Sequence, residues 1–88
     1  MSQSPKIEIY TTQVCGYCVL AKNLLDKNGL AYEEIDVTED ASRRDWLVET
    51  TGLRTVPQIF IDGQPIGGYD DLVVLDKSGD LDPKVTGA

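Results

Sequence analysis

Apolar and polar positions alternate from Lys6 to Tyr10, with Ile7 and Ile9 set between Lys6, Glu8 and Tyr10, the period-two pattern of a half-buried strand. Thr11 to Val14 reads as a short polar turn. From Cys15 onward the period changes: Tyr17, Leu20, Ala21, Leu24 and Leu25 recur at helical spacing, and Gly29 supplies a left-handed stop. Ala31 to Val37, carrying Tyr32, Ile35 and Val37, predicts a second strand. A second helix follows over about Asp40 to Thr51, with Trp46, Leu47 and Thr50 on one side and Gly52 after its end. Gln58 to Ile61 is a compact β-branched and aromatic run. It meets Asp62-Gly63, whose left-handed tolerance suits a two-residue hairpin. Gln64 to Gly67 returns as a short strand, and Pro65 confines it to a sheet edge because proline cannot donate to a ladder. Tyr69 to Lys77 predicts a third helix, with Asp70 and Asp71 in its first turn and Leu72 and Leu75 inward. Asp82-Pro83 and the polar tail read as a frayed end.

The order is β-α-β-α-β-β-α. Two strands joined by a helix must run parallel, and two joined by a tight turn antiparallel. The prediction is therefore an α/β fold, one mixed four-stranded sheet flanked by three helices, in a single domain over residues 1–88. The chain has no repeat and no low-complexity segment. An apolar share of 41% and a charged share of 26% suit a globular domain of this size.

No stretch reaches the length of a membrane span, and Met1 to Pro5 lacks the apolar core of a secretory signal, so a cytoplasmic protein is expected. The net charge of −7, without a basic cluster, argues against nucleic acid as a partner. An anionic ligand would be weakly repelled at long range and must be captured by local donors such as backbone N–H groups.

Chemistry centres on Cys15-Gly16-Tyr17-Cys18, the only two cysteines of the chain. In a reducing compartment they do not form a structural framework. Three readings compete: a pair of small buried hydrophobes, a zinc knuckle and a redox dithiol. Zinc weakens, because a closed site wants four ligands and the chain has no histidine and no third cysteine. Placement after a strand, at the start of a helix, favours redox. There the unpaired N–H groups and the helix dipole stabilise a thiolate, the reactive form, so the thiol pKa of Cys15 is expected to fall. Cys18, one turn on, is placed to attack a mixed disulfide on Cys15 and is expected to be more buried. Cys15 attacks and Cys18 resolves.

Tyr17 reads either as a helix aromatic or as a ring that flanks a disulfide, and Lys22 reads ordinarily as a solvated charge. In Arg54-Thr55-Val56-Pro57 the proline precedes a strand. A plain turn is the ordinary reading, and a cis bond would free the Val56 backbone to pair with an extended peptide. Gly67-Gly68-Tyr69-Asp70 allows close backbone approach, and the following helix start offers N–H groups to a carboxylate.

Together these segments resemble the glutaredoxin family, and most of all its short bacterial-type dithiol members. The matching stretches are I-E-I-Y-T, C-G-Y-C, A-K-x-L-L, T-V-P-Q-I-F-I-D-G, I-G-G-Y-D-D-L and the terminal L-D-P, from about Ile7 to Pro83. The resemblance implies a thioredoxin fold with Pro57 cis, and a glutathione-dependent oxidoreductase that reduces protein disulfides and glutathione mixed disulfides. It further implies that Cys15 forms a mixed disulfide with glutathione, whose backbone pairs antiparallel with Val56. Thr55 and Pro57 would shape the groove, and Tyr17 would border it. Gly68, Tyr69 and Asp70 would receive the γ-glutamyl end, with Asp71 assisting. The expected partners are glutathione and disulfide-containing or glutathionylated proteins, with the enzyme working as a monomer.

Three positions depart from the pattern. Gly16 stands where similar proteins usually carry proline, and glutaredoxins with glycine or serine there often hold a bridging [2Fe–2S] cluster between two protomers. That supplies a second reading: cluster binding or transfer as a dimer, with Cys15 as the metal ligand beside glutathione. Thr12 replaces a common lysine, removing a cation near the thiolate, for which Arg54 is the candidate substitute. Tyr69 occupies a position often small or cysteine, which directs the γ-glutamyl contact to its backbone.

Overall fold

Ile7 and Ile9 are buried on one side of the first strand and Tyr10 on the other, so the strand is covered on both faces and lies inside the sheet. A computed structural model describes residues 6–79. The elements run β1 (Ile7–Thr11), α1 (Gly16–Lys27), β2 (Glu33–Asp36), α2 (Ala41–Thr51), β3 (Gln58–Ile61), β4 (Gln64–Gly67) and α3 (Tyr69–Ser78). The sheet order is β2-β1-β3-β4, with β1 and β2 parallel and the other two pairs antiparallel. This is the predicted topology, and β4 with Pro65 stands at an edge. Asp82 and Pro83 lie outside the described residues.

Most differences in the element bounds are small and have local causes. The first strand runs one residue further than predicted because Thr11 pairs with Asp36. The second is shorter than Ala31 to Val37, being limited to the register facing Glu8 to Thr11. Cys15 and Asp40 are N-caps rather than helical residues; Asp40 Oδ1 accepts the Arg43 N–H at 2.9 Å. The third helix extends to Ser78 before Gly79 takes a left-handed conformation.

Two cores sit on the two faces of the sheet. On one face, Ala21 and Leu25 of α1 and Leu72 of α3 close over Ile7, Ile9 and Ile59. Full burial of a leucine such as Leu72 is worth about 1.5–3 kcal/mol. On the other, Leu47 of α2 packs with Tyr10, Val37 and Phe60. The buried row of α1 is Cys18, Ala21 and Leu25. Tyr17 and Leu20, expected on that row, are 62% and 45% exposed. The spacing holds, but the helix is rotated so that Cys18 takes an inward place. In α2 only Leu47 is buried; Thr50 is exposed, and Trp46 lies half-exposed, stacked on Phe60.

The β3–β4 turn follows its sequence closely. Asp62 and Gly63 both have positive φ, 52° and 82°, as a tight hairpin requires. A register shift opposite Ile59 and Phe60 then bends β4 toward α3, with Gly67 at φ 113°. No described helix is long and apolar enough to cross a membrane.

Candidate active site

Cys15 sits between β1 and α1 in an extended conformation, φ −151° and ψ 102°, as the N-cap of the helix. The Cys18 N–H donates to its Sγ at 3.1 Å. A first-turn amide is thus directed at the sulfur, and the helix dipole adds to it; both favour negative charge there. Gly16 and Tyr17 continue the first turn, which brings the Cα atoms of Cys15 and Cys18 to 5.2 Å, and the two sulfurs are joined as a disulfide. Cys18 is 1% exposed, whereas Cys15 is half-buried at the surface. Only Cys15 is open to an incoming disulfide.

The Val56–Pro57 peptide is cis. Cys15 Sγ lies 3.7 Å from the Val56 carbonyl oxygen, and the Val56 N–H has no partner among the described residues. The Val56 carbonyl therefore stands against the sulfur, and the N–H of the same residue is open to a partner. Next to them opens a cleft of about 330 Å³ that brings together Tyr17, Thr55, Val56, Pro57, Gly68, Tyr69 and Asp70, the residues singled out in the sequence. Leu53 and Asp71 complete its wall. The rings of Tyr17 and Tyr69 face each other across it, with centroids 6.0 Å apart. Asp71 turns back onto the helix start, its Oδ2 accepting the Gly68 N–H at 2.9 Å, and so reinforces the first turn of α3.

Two expectations about charge can be placed. Lys22 is committed to Glu34 at 3.0 Å. The same carboxylate accepts the hydroxyl of buried Thr11 at 2.8 Å, and the two bonds, Lys22 first, hold the Glu34 carboxyl below its ordinary value. Arg54 does not line the cleft. It lines a neighbouring cavity with Arg44, behind the segment Leu53 to Val56. The cation missing at Thr12 is thus not replaced inside the cleft.

Sequence reasoning missed Gln58. Its side chain is 2% exposed, with Oε1 accepting the Thr51 hydroxyl at 2.8 Å and Nε2 donating to the Leu53 carbonyl at 2.9 Å. It ties the segment carrying Thr55 and Val56 to the end of α2. The available signal was an amide inside an otherwise apolar strand, since a buried polar group requires partners. Among the described residues no group of three or more His, Cys, Asp or Glu could hold a metal ion.

Comparison with known proteins places these features. The family model for glutaredoxins matches residues 7–66. Glutaredoxin 3 of Escherichia coli (strain K12) is 48% identical over 77 residues, covering 88% of this chain and 93% of that protein. Among solved structures, a buckwheat glutaredoxin–glutathione complex superposes with a TM-score of 0.84 at 33% identity, covering 93% of this chain and 77% of that one. The holo form of glutaredoxin C1 from Populus tremula x tremuloides gives a TM-score of 0.81 at 32% identity, over 89% of this chain and 73% of that one.

Proposed function

The chain belongs to the glutaredoxin family, and on that premise we propose how its site performs glutathione-dependent thiol–disulfide exchange. Cys15 is the attacking thiol, Cys18 the resolving thiol, and the cleft from Tyr17 to Asp70 the seat of glutathione. The observation that carries this is the Val56 carbonyl 3.7 Å from Cys15 Sγ, on a residue whose N–H has no partner among the described residues. A cysteine of glutathione paired antiparallel there brings its sulfur alongside Cys15. Its γ-glutamyl carboxylate then meets the amides at the start of α3, and its ammonium meets Asp70. Backbone capture of this kind works despite the acidic surface. The glutathione bound in the buckwheat complex supports the assignment.

With a glutathionylated protein, the Cys15 thiolate attacks the glutathione sulfur; the S–S bond to the protein breaks, and the protein thiolate leaves and takes up a proton. A second glutathione, as thiolate, attacks the mixed disulfide. It releases oxidised glutathione and regenerates the Cys15 thiolate. With a protein disulfide, Cys15 bonds one substrate sulfur and the other leaves as a thiol. Cys18, once deprotonated, then attacks Cys15 Sγ and expels the second substrate thiol. The product is the Cys15–Cys18 disulfide, the state of this structure, which two glutathiones reduce. Burial of Cys18 restricts it to this internal step.

One chain supplies the whole site, so a monomer suffices. We read the chain as a single glutaredoxin domain working in the cytoplasm, where thiols are kept reduced. The test is turnover of a glutathionylated peptide. Cys15→Ser is expected to abolish it, while Cys18→Ser retains most of it and loses protein-disulfide reduction. Equal loss in both variants would refute the division of roles.

A bridging [2Fe–2S] cluster is a second reading. A Cβ at Gly16 would meet nothing within 4 Å, so the surface beside Cys15 is open. A cluster needs four thiolate-type ligands, and with Cys18 buried each chain offers only Cys15; two chains and two glutathiones would be required. Anaerobic reconstitution with iron, sulfide and glutathione decides it by visible absorption and sizing. A colourless monomer refutes it.

A further inference from the structure

Thr38 lies in the turn between β2 and α2, outside the cleft. Its Oγ1 accepts the N–H of Gln13 at 2.9 Å. Gln13 stands two residues before Cys15, in the loop that leaves β1. The Thr38 N–H donates to Asp36 Oδ1 at 2.8 Å. Hydrogen bonding from the Thr38 hydroxyl, and then from its amide, holds the Asp36 carboxyl below its ordinary value. The turn has a fixed base: Val37 is fully buried and donates to the Thr11 carbonyl at 2.8 Å.

We propose that Thr38 is a positioning residue for thiol exchange: its hydroxyl oxygen holds the Gln13 amide and so fixes the loop that leads to Cys15 at the start of α1. The inference rests on the reading of Cys15 as the attacking thiol. Beyond Cys15, the loop is held by α1, where the Cys15 carbonyl accepts the Val19 N–H at 3.3 Å; before it, the Gln13–Thr38 bond is the side-chain tether found among the described residues. Gln13 is exposed and Val14 is 97% exposed, so no buried side chain holds the approach to the sulfur. Gln13 is two residues from Cys15, so releasing it frees the segment that enters the N-cap, and hydrogen-bond geometry at the sulfur tolerates only a few tenths of an ångström, on the order of the spread within the 2.7–3.2 Å range of such bonds. The contact from the Cys18 N–H to Sγ and the approach of Sγ to Val56 both depend on that placement. Because the Gln13–Thr38 bond lies at the surface, water can replace it on loss. Folding is little affected, while alignment is lost.

The test compares Thr38→Val, close in shape but without the hydroxyl, with Thr38→Ser, which keeps it. The reduced proteins are read by the pH profile of Cys15 alkylation, by turnover of a glutathionylated peptide and by thermal melting. Thr38→Val is expected to shift the alkylation profile to higher pH and to lower kcat about three- to tenfold, the size of one net hydrogen bond. Thr38→Ser is expected within about twofold of the parent, on the same scale. An unchanged profile in Thr38→Val, with or without a lower melting temperature, overturns the proposal. So does a Thr38→Ser as impaired as Thr38→Val. If instead Cys15→Ser retained turnover, the assignment of the thiol itself would fail, which the Thr38 variants do not test.

Discussion

Gln58→Met removes two hydrogen bonds while preserving side-chain length and an unbranched shape. The parent amide is 2% exposed and joins the Thr51 hydroxyl to the Leu53 carbonyl at 2.8 and 2.9 Å. Each neutral bond contributes about 0.5–1.5 kcal/mol net, and a partner left buried without a bond costs about 1–3 kcal/mol more. Here both partners have alternatives. The Thr51 hydroxyl lies 2.8 Å from the Leu47 carbonyl, and Leu53 is exposed, so its carbonyl can reach water. The expected cost is therefore only that of the two bonds, about 1–3 kcal/mol, or about 4–24 °C in melting temperature for a domain of this size. The same tether holds the segment that carries Thr55 and Val56. Its release should raise the KM for glutathione several-fold while kcat, set at Cys15, changes less. Urea unfolding and steady-state kinetics with glutathione as the varied substrate read the two effects. A Gln58→Met protein that melts within about 2 °C of the parent, with an unchanged KM, would refute the reasoning, since one bond lost should already cost more.

Two further variants probe the surroundings of the site. Gly67 has φ 113°, and a Cβ there would run into the Asp71 carboxylate that caps Gly68, so Gly67→Ala should lose about 2–3 kcal/mol in urea unfolding. A loss under 0.5 kcal/mol would mean the start of α3 adapts freely. Glu34 has a carboxyl held below its ordinary 4.5 by Lys22 and Thr11. Its contribution to stability is full above pH 4.5 and is lost as pH falls below that, through the depressed folded value. The parent should therefore melt progressively lower in that range, and Glu34→Gln less steeply. The pair is partly exposed, so the difference at pH 7 stays under about 1 kcal/mol and shrinks with salt. Identical slopes for the two proteins would show that the Lys22–Glu34–Thr11 contacts contribute nothing.

Much of this protein is determined over short stretches of its chain. Asp62-Gly63 makes its hairpin because both residues tolerate positive φ, and the alternation of β1 and the order of elements bring the strands to the predicted pairing. Cys15 falls at the start of a helix for an equally local reason, since the helix begins immediately after it. Local signals drew attention to the segments of Tyr17, Thr55 to Pro57 and Gly68 to Asp70, and the resemblance assigned those seven residues to glutathione. What brings them together is the docking of α1 and α3 on one face of the sheet with the return of β4. Which row of α1 turns inward was also a tertiary decision. Periodicity identifies a stripe but cannot choose between adjoining rows: Tyr17 and Leu20 lie outside the buried row, while Cys18, expected to be the more buried cysteine, lies in it. Gln58 and Thr38 were not legible as positioning groups for the same reason. Their partners lie on other elements, and a polar side chain acquires a role only when folding removes water and leaves it one geometry in which its bonds are met. The disulfide chemistry is written in four adjacent residues; the surface that gives it a substrate exists only after distant segments have packed.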